Sequence, residues 1–210
     1  MMWSHTPCRH SVRGFTLIEL MVTLAISAIL LLMAMPLTGS YFENARVRKA
    51  AEAFAAGLHQ ARNEAIRTNT GASLLLTTAA PVIPATGNLP PTPGSVTFTA
   101  GVSWAVFTQA NATAPRVTVD TRSAAEGNGA LVLTLPTAAT GAPALIQFNG
   151  LGVPAGLASP ALYQFTGPRN ATCAAQPNQS VTCMGVWLSA GGQARVCEVR
   201  NGAAGDLRAC

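Results

Sequence analysis

The chain has 210 residues, 49% of them apolar and only 10% charged, with 13 Lys or Arg against 8 Asp or Glu and a formal net charge of +5. Beyond the N-terminal helical stretch the composition is rich in Thr, Ala, Gly and Pro and poor in charge, which excludes a coiled coil or a long disordered tail and favours a small β-rich domain. The basic balance is compatible with nucleic acid or an acidic surface as partner and singles out neither.

Residues 14 to 69 form the first element. From Leu20 to Leu37 there is no charge, and the only polar side chains, Thr23 and Ser27, can return their hydroxyls to the preceding turn. These 18 residues make about 27 Å of helix, close to the thickness of a bilayer's hydrocarbon core. Phe42, Ala45, Ala50 or Ala51, Phe54, Leu58, Ala61 and Ala65 or Ile66 then recur every three or four positions, with Arg46, Arg48, Lys49, Glu52, Arg62, Glu64 and Arg67 mostly between them. The pattern predicts one long helix, apolar first and amphipathic after. Pro36 should kink or open it by removing a backbone donor, and Gly39 is a second weak point. Glu19 sits among the apolar residues, where a lone carboxylate needs a partner or the headgroup region.

Gly14, Phe15, Thr16, Leu17, Ile18 and Glu19 read GFTLIE. This string resembles the class III signal of type IV pilins and of the pseudopilins of type II secretion. The resemblance implies a leader of residues 1–14, containing His5, Arg9, His10 and Arg13, that a prepilin peptidase cuts between Gly14 and Phe15. It also implies N-methylation of Phe15, and a role for Glu19 in meeting the α-amine of a neighbouring Phe15 during assembly. Pro36 matches a proline of the family where the helix loosens as subunits enter a filament. Independently, residues 30–37 hold no small-x-small cleavage site, and Arg9 and Arg13 precede the span, so the bulk of the chain is expected to be translocated.

The helix should end near Asn69 to Gly71. Strands are expected at 72–78, 96–99, 104–108, 116–119, 130–135 and 144–148, where apolar and polar residues alternate. Residues 80–95 carry five prolines and read as a loop, a solvent-facing insertion or a partner contact, with Val82 and Ile83 packed down. The Gly150–Leu151–Gly152 turn lacks the lysine and strand-to-helix context of a nucleotide site and reads as structural. Two further strands, 181–189 and 194–200, flank a tight AGGQ turn.

Cys8 falls in the leader, whereas Cys173, Cys183, Cys197 and Cys210 lie in the last 38 residues. Four cysteines allow three pairings. Cys173 with Cys183 and Cys197 with Cys210 is the preferred one, each pinning a hairpin or the chain end at little closure entropy. Neither spacing is CxxC and no histidine follows His59, so no metal or cofactor is expected. A Ser-His or Cys-His centre would have to use His59, and no GxSxG string is present, so the chain reads as no enzyme.

The string from Leu58 to Asn69, with Ala61, Arg62, Glu64, Ala65, Ile66 and Arg67, resembles the helix end of the FimT/FimU and GspH branch of minor pilins and minor pseudopilins. That resemblance implies an α+β, pilin-like fold: a long N-terminal helix, transmembrane then amphipathic, packed on a C-terminal antiparallel β-sheet domain. Its segments would be a leader at 1–14, a transmembrane and assembly helix at 15–40, an amphipathic helix at 41–71 and a β-rich periplasmic domain at 72–210. The chain would be a single-pass protein of the bacterial inner membrane, and part of a pilus or pseudopilus after assembly. The function implied is a minor pilin of a type IV pilus, with a GspH-like minor pseudopilin of type II secretion as the alternative. Its partners would be other major and minor pilins or pseudopilins, prepilin peptidase and an inner-membrane assembly platform. Some FimT-like members bind DNA through a C-terminal GRxR stretch. Here Gly192, Gln193, Ala194 and Arg195 keep the glycine and the second arginine but not the first. Arg195, Arg200 and Arg208, with Arg169, are the candidates for binding double-stranded DNA by its phosphates.

Overall fold

The computed structural model describes residues 14–90, 97–98, 101, 103–126, 131–136, 144–156, 160–168, 182–199 and 210, with backbone alone at 33–38, 40 and 97–98. The chain divides into two compact units, one up to Gly39 and one from Ser40 to Cys210. A single helix, α1 (Leu17–Thr68), runs through the boundary.

The first unit corrects the expected transmembrane segment at 15–40. Among the described residues no helix is long and apolar enough to cross a membrane. Glu19, a carboxylate, stands among the apolar residues of the first turn of α1. The single-pass placement in the bacterial inner membrane falls with that segment.

In the second unit the amphipathic pattern of α1 becomes a buried stripe. Val47, Ala50, Ala51, Phe54, Ala55, Leu58, Ala61 and Ala65 are all buried in one core with residues of both sheets. Phe42, expected in this stripe, is exposed, and so is Ile66 in large part. The helix ends where the NTG string predicts. Asn69 adopts a left-handed φ of 50°, its N–H donates to the Ile66 carbonyl (3.2 Å), and the Thr70 N–H donates to that of Ala65 (3.2 Å). These are the two bonds of a Schellman cap with Asn at the position usually held by Gly.

Ten strands follow among the described residues. They are β1 (Gly71–Thr77), β2 (Thr97–Phe98), β3 (Ser103–Gln109), β4 (Val117–Arg122), β5 (Val132–Thr134), β6 (Leu145–Phe148), β7 (Pro154–Ala155), β8 (Ala161–Thr166), β9 (Met184–Leu188) and β10 (Ala194–Glu198). They form two five-stranded sheets of order β4-β3-β1-β6-β7 and β10-β9-β8-β5-β2, every pair antiparallel. Strand β8 was not anticipated from the sequence, yet its alternation is clear. Ala161, Tyr163 and Phe165 point into the core, and Phe54 meets Tyr163 and Phe165 at ring centroid distances of 5.1 and 5.5 Å.

Strand β1 is buried on both faces. Leu74 and Leu76 join the main core, while Leu75 packs with Ile83, Ala105 and Phe107 in a second cluster. The proline-rich loop supplies the cover for that second face. Ile83 is 8% exposed and packs down as expected, but Val82 is 70% exposed and does not. Arg116, just before β4, holds the loop in place. Its backbone N–H donates to the Ala85 carbonyl (2.8 Å) and its Nη1 to those of Gly87 (2.9 Å) and Pro84 (3.4 Å).

Two outcomes follow from this packing. A Cβ placed on Gly57 would stand 2.9 Å from Cη2 of the buried Trp104 indole and 3.2 Å from Leu74 Cδ1. Replacing a helical Gly by Ala ordinarily stabilises by about 1 kcal/mol, whereas overpacking costs about 1–3 kcal/mol. Gly57→Ala should therefore destabilise by about 1 kcal/mol, read as a lower denaturant midpoint at unchanged m-value. Arg116→Ala should lose about 1–2 kcal/mol and speed amide exchange between Ala79 and Gly87, leaving exchange in β8 and β9 at its former rate.

Candidate functional site

Two places carry the residues singled out by the sequence, one in each unit. In the first unit, Thr16 and Glu19 close a reciprocal cap at the start of α1. The Glu19 carboxylate accepts from the Thr16 N–H (3.0 Å) and hydroxyl (3.1 Å), and the Glu19 N–H donates to Thr16 Oγ1 (3.3 Å). This is the capping box in which Thr at the N-cap and Glu three residues on satisfy two otherwise orphaned amides. The Thr16 N–H, and after it the Thr16 hydroxyl, hold the Glu19 carboxyl below its ordinary pKa. The cap is thus complete at neutral pH and is lost only as pH falls through that lowered value. Thr16 was not singled out from the sequence, although T-x-x-E ahead of an apolar run is its signature.

The surroundings of this cap are open. Among the described residues nothing lies within 4 Å of a Cβ built on Gly14, and Phe15 is 87% exposed. Every large apolar side chain from Phe15 to Leu32 is more than half exposed. Pro36 lies within α1.

In the second unit, the β9–β10 hairpin is built on a rigid turn. The Ser189 N–H donates to the Gln193 carbonyl (2.9 Å), the Gly192 N–H to the Ser189 carbonyl (3.0 Å), and the Gln193 N–H to Ser189 Oγ (3.0 Å). Gly192 has φ 78°, and a Cβ there would run into the Gly152 carbonyl oxygen. That same oxygen accepts from Arg62 Nε at 3.2 Å, which fixes the hairpin turn beside the Asn149–Val153 turn and the last part of α1.

Arg195 and Trp187 are direct cross-strand partners. The side chain of Arg195 is exposed, and its guanidinium carbon lies 4.9 Å from the indole ring centroid, a cation–π contact. Of the four arginines expected to meet phosphate, Arg195 alone falls in the described residues. Arg169, Arg200 and Arg208 lie outside them. Cys197 and Cys210 are joined by a disulfide. Cys183 is also disulfide-bonded, while Cys173, its expected partner, lies outside the described residues. Among the described residues no group of three or more His, Cys, Asp or Glu could hold a metal ion, and His59 is exposed on α1.

Comparison with known proteins adds family evidence. A model of the prokaryotic N-terminal methylation motif matches residues 9–35, and a model of the type II transport protein GspH matches residues 50–200. The chain is similar to the type IV minor pilin FimU of Pseudomonas aeruginosa in two crystal forms. One is 14% identical over 76% of this chain and 92% of that one, with a TM-score of 0.41. The other is 16% identical over 71% and 90%, with a TM-score of 0.38. No curated protein matches the chain. Because the GspH model takes in well over half of its length, behind a methylation motif, the chain belongs to the GspH family of the type IV pilin and type II secretion pseudopilin superfamily, whose members are structural and not catalytic.

Proposed function

We propose that this protein is a minor pilin that joins a type IV pilus by packing the apolar part of α1 against the corresponding helices of neighbouring subunits. The observation that carries the reading is the exposure of every large apolar side chain from Phe15 to Leu32. A helix apolar on all sides is stable only when something covers it, and exposed apolar area on this scale marks an association surface. Helices of like sequence provide that cover without burying unpaired polar groups, because the Thr23 and Ser27 hydroxyls already donate to the backbone carbonyls of Leu20 and Thr23 (3.0 and 2.7 Å).

Processing prepares this surface. Gly14 and Phe15 lie ahead of α1 and are accessible to a prepilin peptidase; the cut between them leaves Phe15 as the N-terminal residue, the site of methylation. Thr16 keeps its N–H and its hydroxyl after the cut, so the cap survives and Glu19 stays ordered beside the new α-amine. The carboxylate then offers that charge, or the amine of a neighbouring Phe15, an oriented partner. Disulfides in the second unit suit an exported, oxidising setting. A minor pseudopilin of type II secretion would use the same surface. DNA capture would rest on Arg195 alone among the described residues and is not put forward.

The test is assembly in the producing cell. Gly14→Val should leave the leader attached, seen as a heavier chain by mass spectrometry. Glu19→Ala should still be cut and keep its thermal midpoint, yet enter sheared filaments roughly tenfold less. Normal incorporation of the Glu19 variant would sink the role given to the carboxylate. Deleting the gene separates the two systems, since loss of surface pili with intact protein secretion marks a pilus and the reverse a pseudopilus.

A further inference from the structure

Among the described residues, strand β10 is the outermost strand of its sheet. The Ser189 N–H donates to the Gln193 carbonyl and the Val199 N–H to the Cys183 carbonyl. Backbone groups of the odd-numbered residues from Gln193 to Val199 therefore face β9, and those of Ala194, Val196 and Glu198 face away from it. Such an outward row is a template on which another strand can pair.

Cys210 sits at one end of that row. The Cys210 N–H donates to the outward Glu198 carbonyl at 3.1 Å, and the Cys210 sulfur is bonded to Cys197. A socket in the sheet receives it. Gly185 is the cross-strand partner of Cys197, and a Cβ built on Gly185 would stand 2.5 Å from Cys210 Sγ and 2.9 Å from Leu162 Cδ1. The missing side chain at 185 is what leaves room for the sulfur.

We propose that this seated cysteine is an edge guard: tied to Cys197 over Gly185, Cys210 occupies the Glu198 carbonyl and stops a second copy of the chain from pairing its own β10 along this edge. The strand has five residues, so an antiparallel partner needs nearly the whole row to hold its register, and blocking one end is enough to prevent pairing. The device lies wholly in the second unit and is independent of assembly through α1.

The full chain, held in a nonionic detergent, tests this as wild type, Cys210→Ser, Gly185→Ala and Cys183→Ser. Sedimentation reads the oligomeric state and hydrogen exchange reads the Val196 amide. Wild type and Cys183→Ser are expected to leave the Val196 amide open at every concentration. Cys210→Ser and Gly185→Ala should form concentration-dependent dimers in which that amide exchanges about tenfold more slowly. Unchanged exchange at Val196 in Cys210→Ser would overturn the proposal. So would equal dimerisation of Cys183→Ser, which would trace the effect to lost cross-linking in general. Should Cys210→Ser fail to fold, Gly185→Ala decides by alkylation of its thiols. Free thiols at Cys197 and Cys210 are expected, and a fully oxidised chain would overturn the socket.

Discussion

The close approach of α1 to the two sheets is the constraint on which the second unit depends. It is possible because the buried stripe is largely alanine, with Phe54 and Leu58 as its large members and Gly57 where the Trp104 indole crosses. Small residues bring backbone near backbone, and the volume they leave is filled from the sheets by Trp104, Tyr163 and Phe165. Neither sheet has a core of its own on this side: Leu74, Val106 and Ile146 from one and Leu133, Val186 and Leu188 from the other meet in the same cluster. The helix is therefore the common surface that makes one core of two sheets.

From that arrangement the need for the proline-rich loop follows. Strand β1 lies between β3 and β6, and its Leu74–Leu75–Leu76 run puts apolar side chains on both faces. The face away from α1, where Leu75 lies beside Leu145 of β6, has to be covered by something short, and Ile83 with Leu89 does this. Prolines limit the entropy lost when the loop is ordered, and Arg116 supplies the polar bonds that a packed loop otherwise lacks.

The two units solve opposite problems. The second buries its apolar residues internally, caps its helix end and ties Cys210 to β10. The first exposes them, and its one acidic group is held by Thr16 and not by a cation. A capping box orients a carboxylate without neutralising it, which keeps Glu19 available for a positive partner from outside the helix. Association, not chemistry on a bound molecule, is what such a surface can do, and membership of the GspH family agrees with it.

The sequence by itself determined the features that depend on residues three to five apart. The stripe from Ala50 to Ala65, the helix end at Asn69, the GFTLIE string and the β9–β10 hairpin could all be read directly, because helix periodicity, caps and tight turns are local. The Thr16–Glu19 cap was equally local but was masked by the pull of the apolar run, which suggested a membrane span that the described helix does not form. Strand β8 was obscured by Pro160, Gly167 and Pro168 around a short alternating run. Only the tertiary structure decided the rest: the split into two sheets, β1 between β3 and β6, the exposure of Val82 beside buried Ile83, and the seat for Cys210 over Gly185. Each depends on groups that are distant in the chain and adjacent in space, and no periodicity records that adjacency.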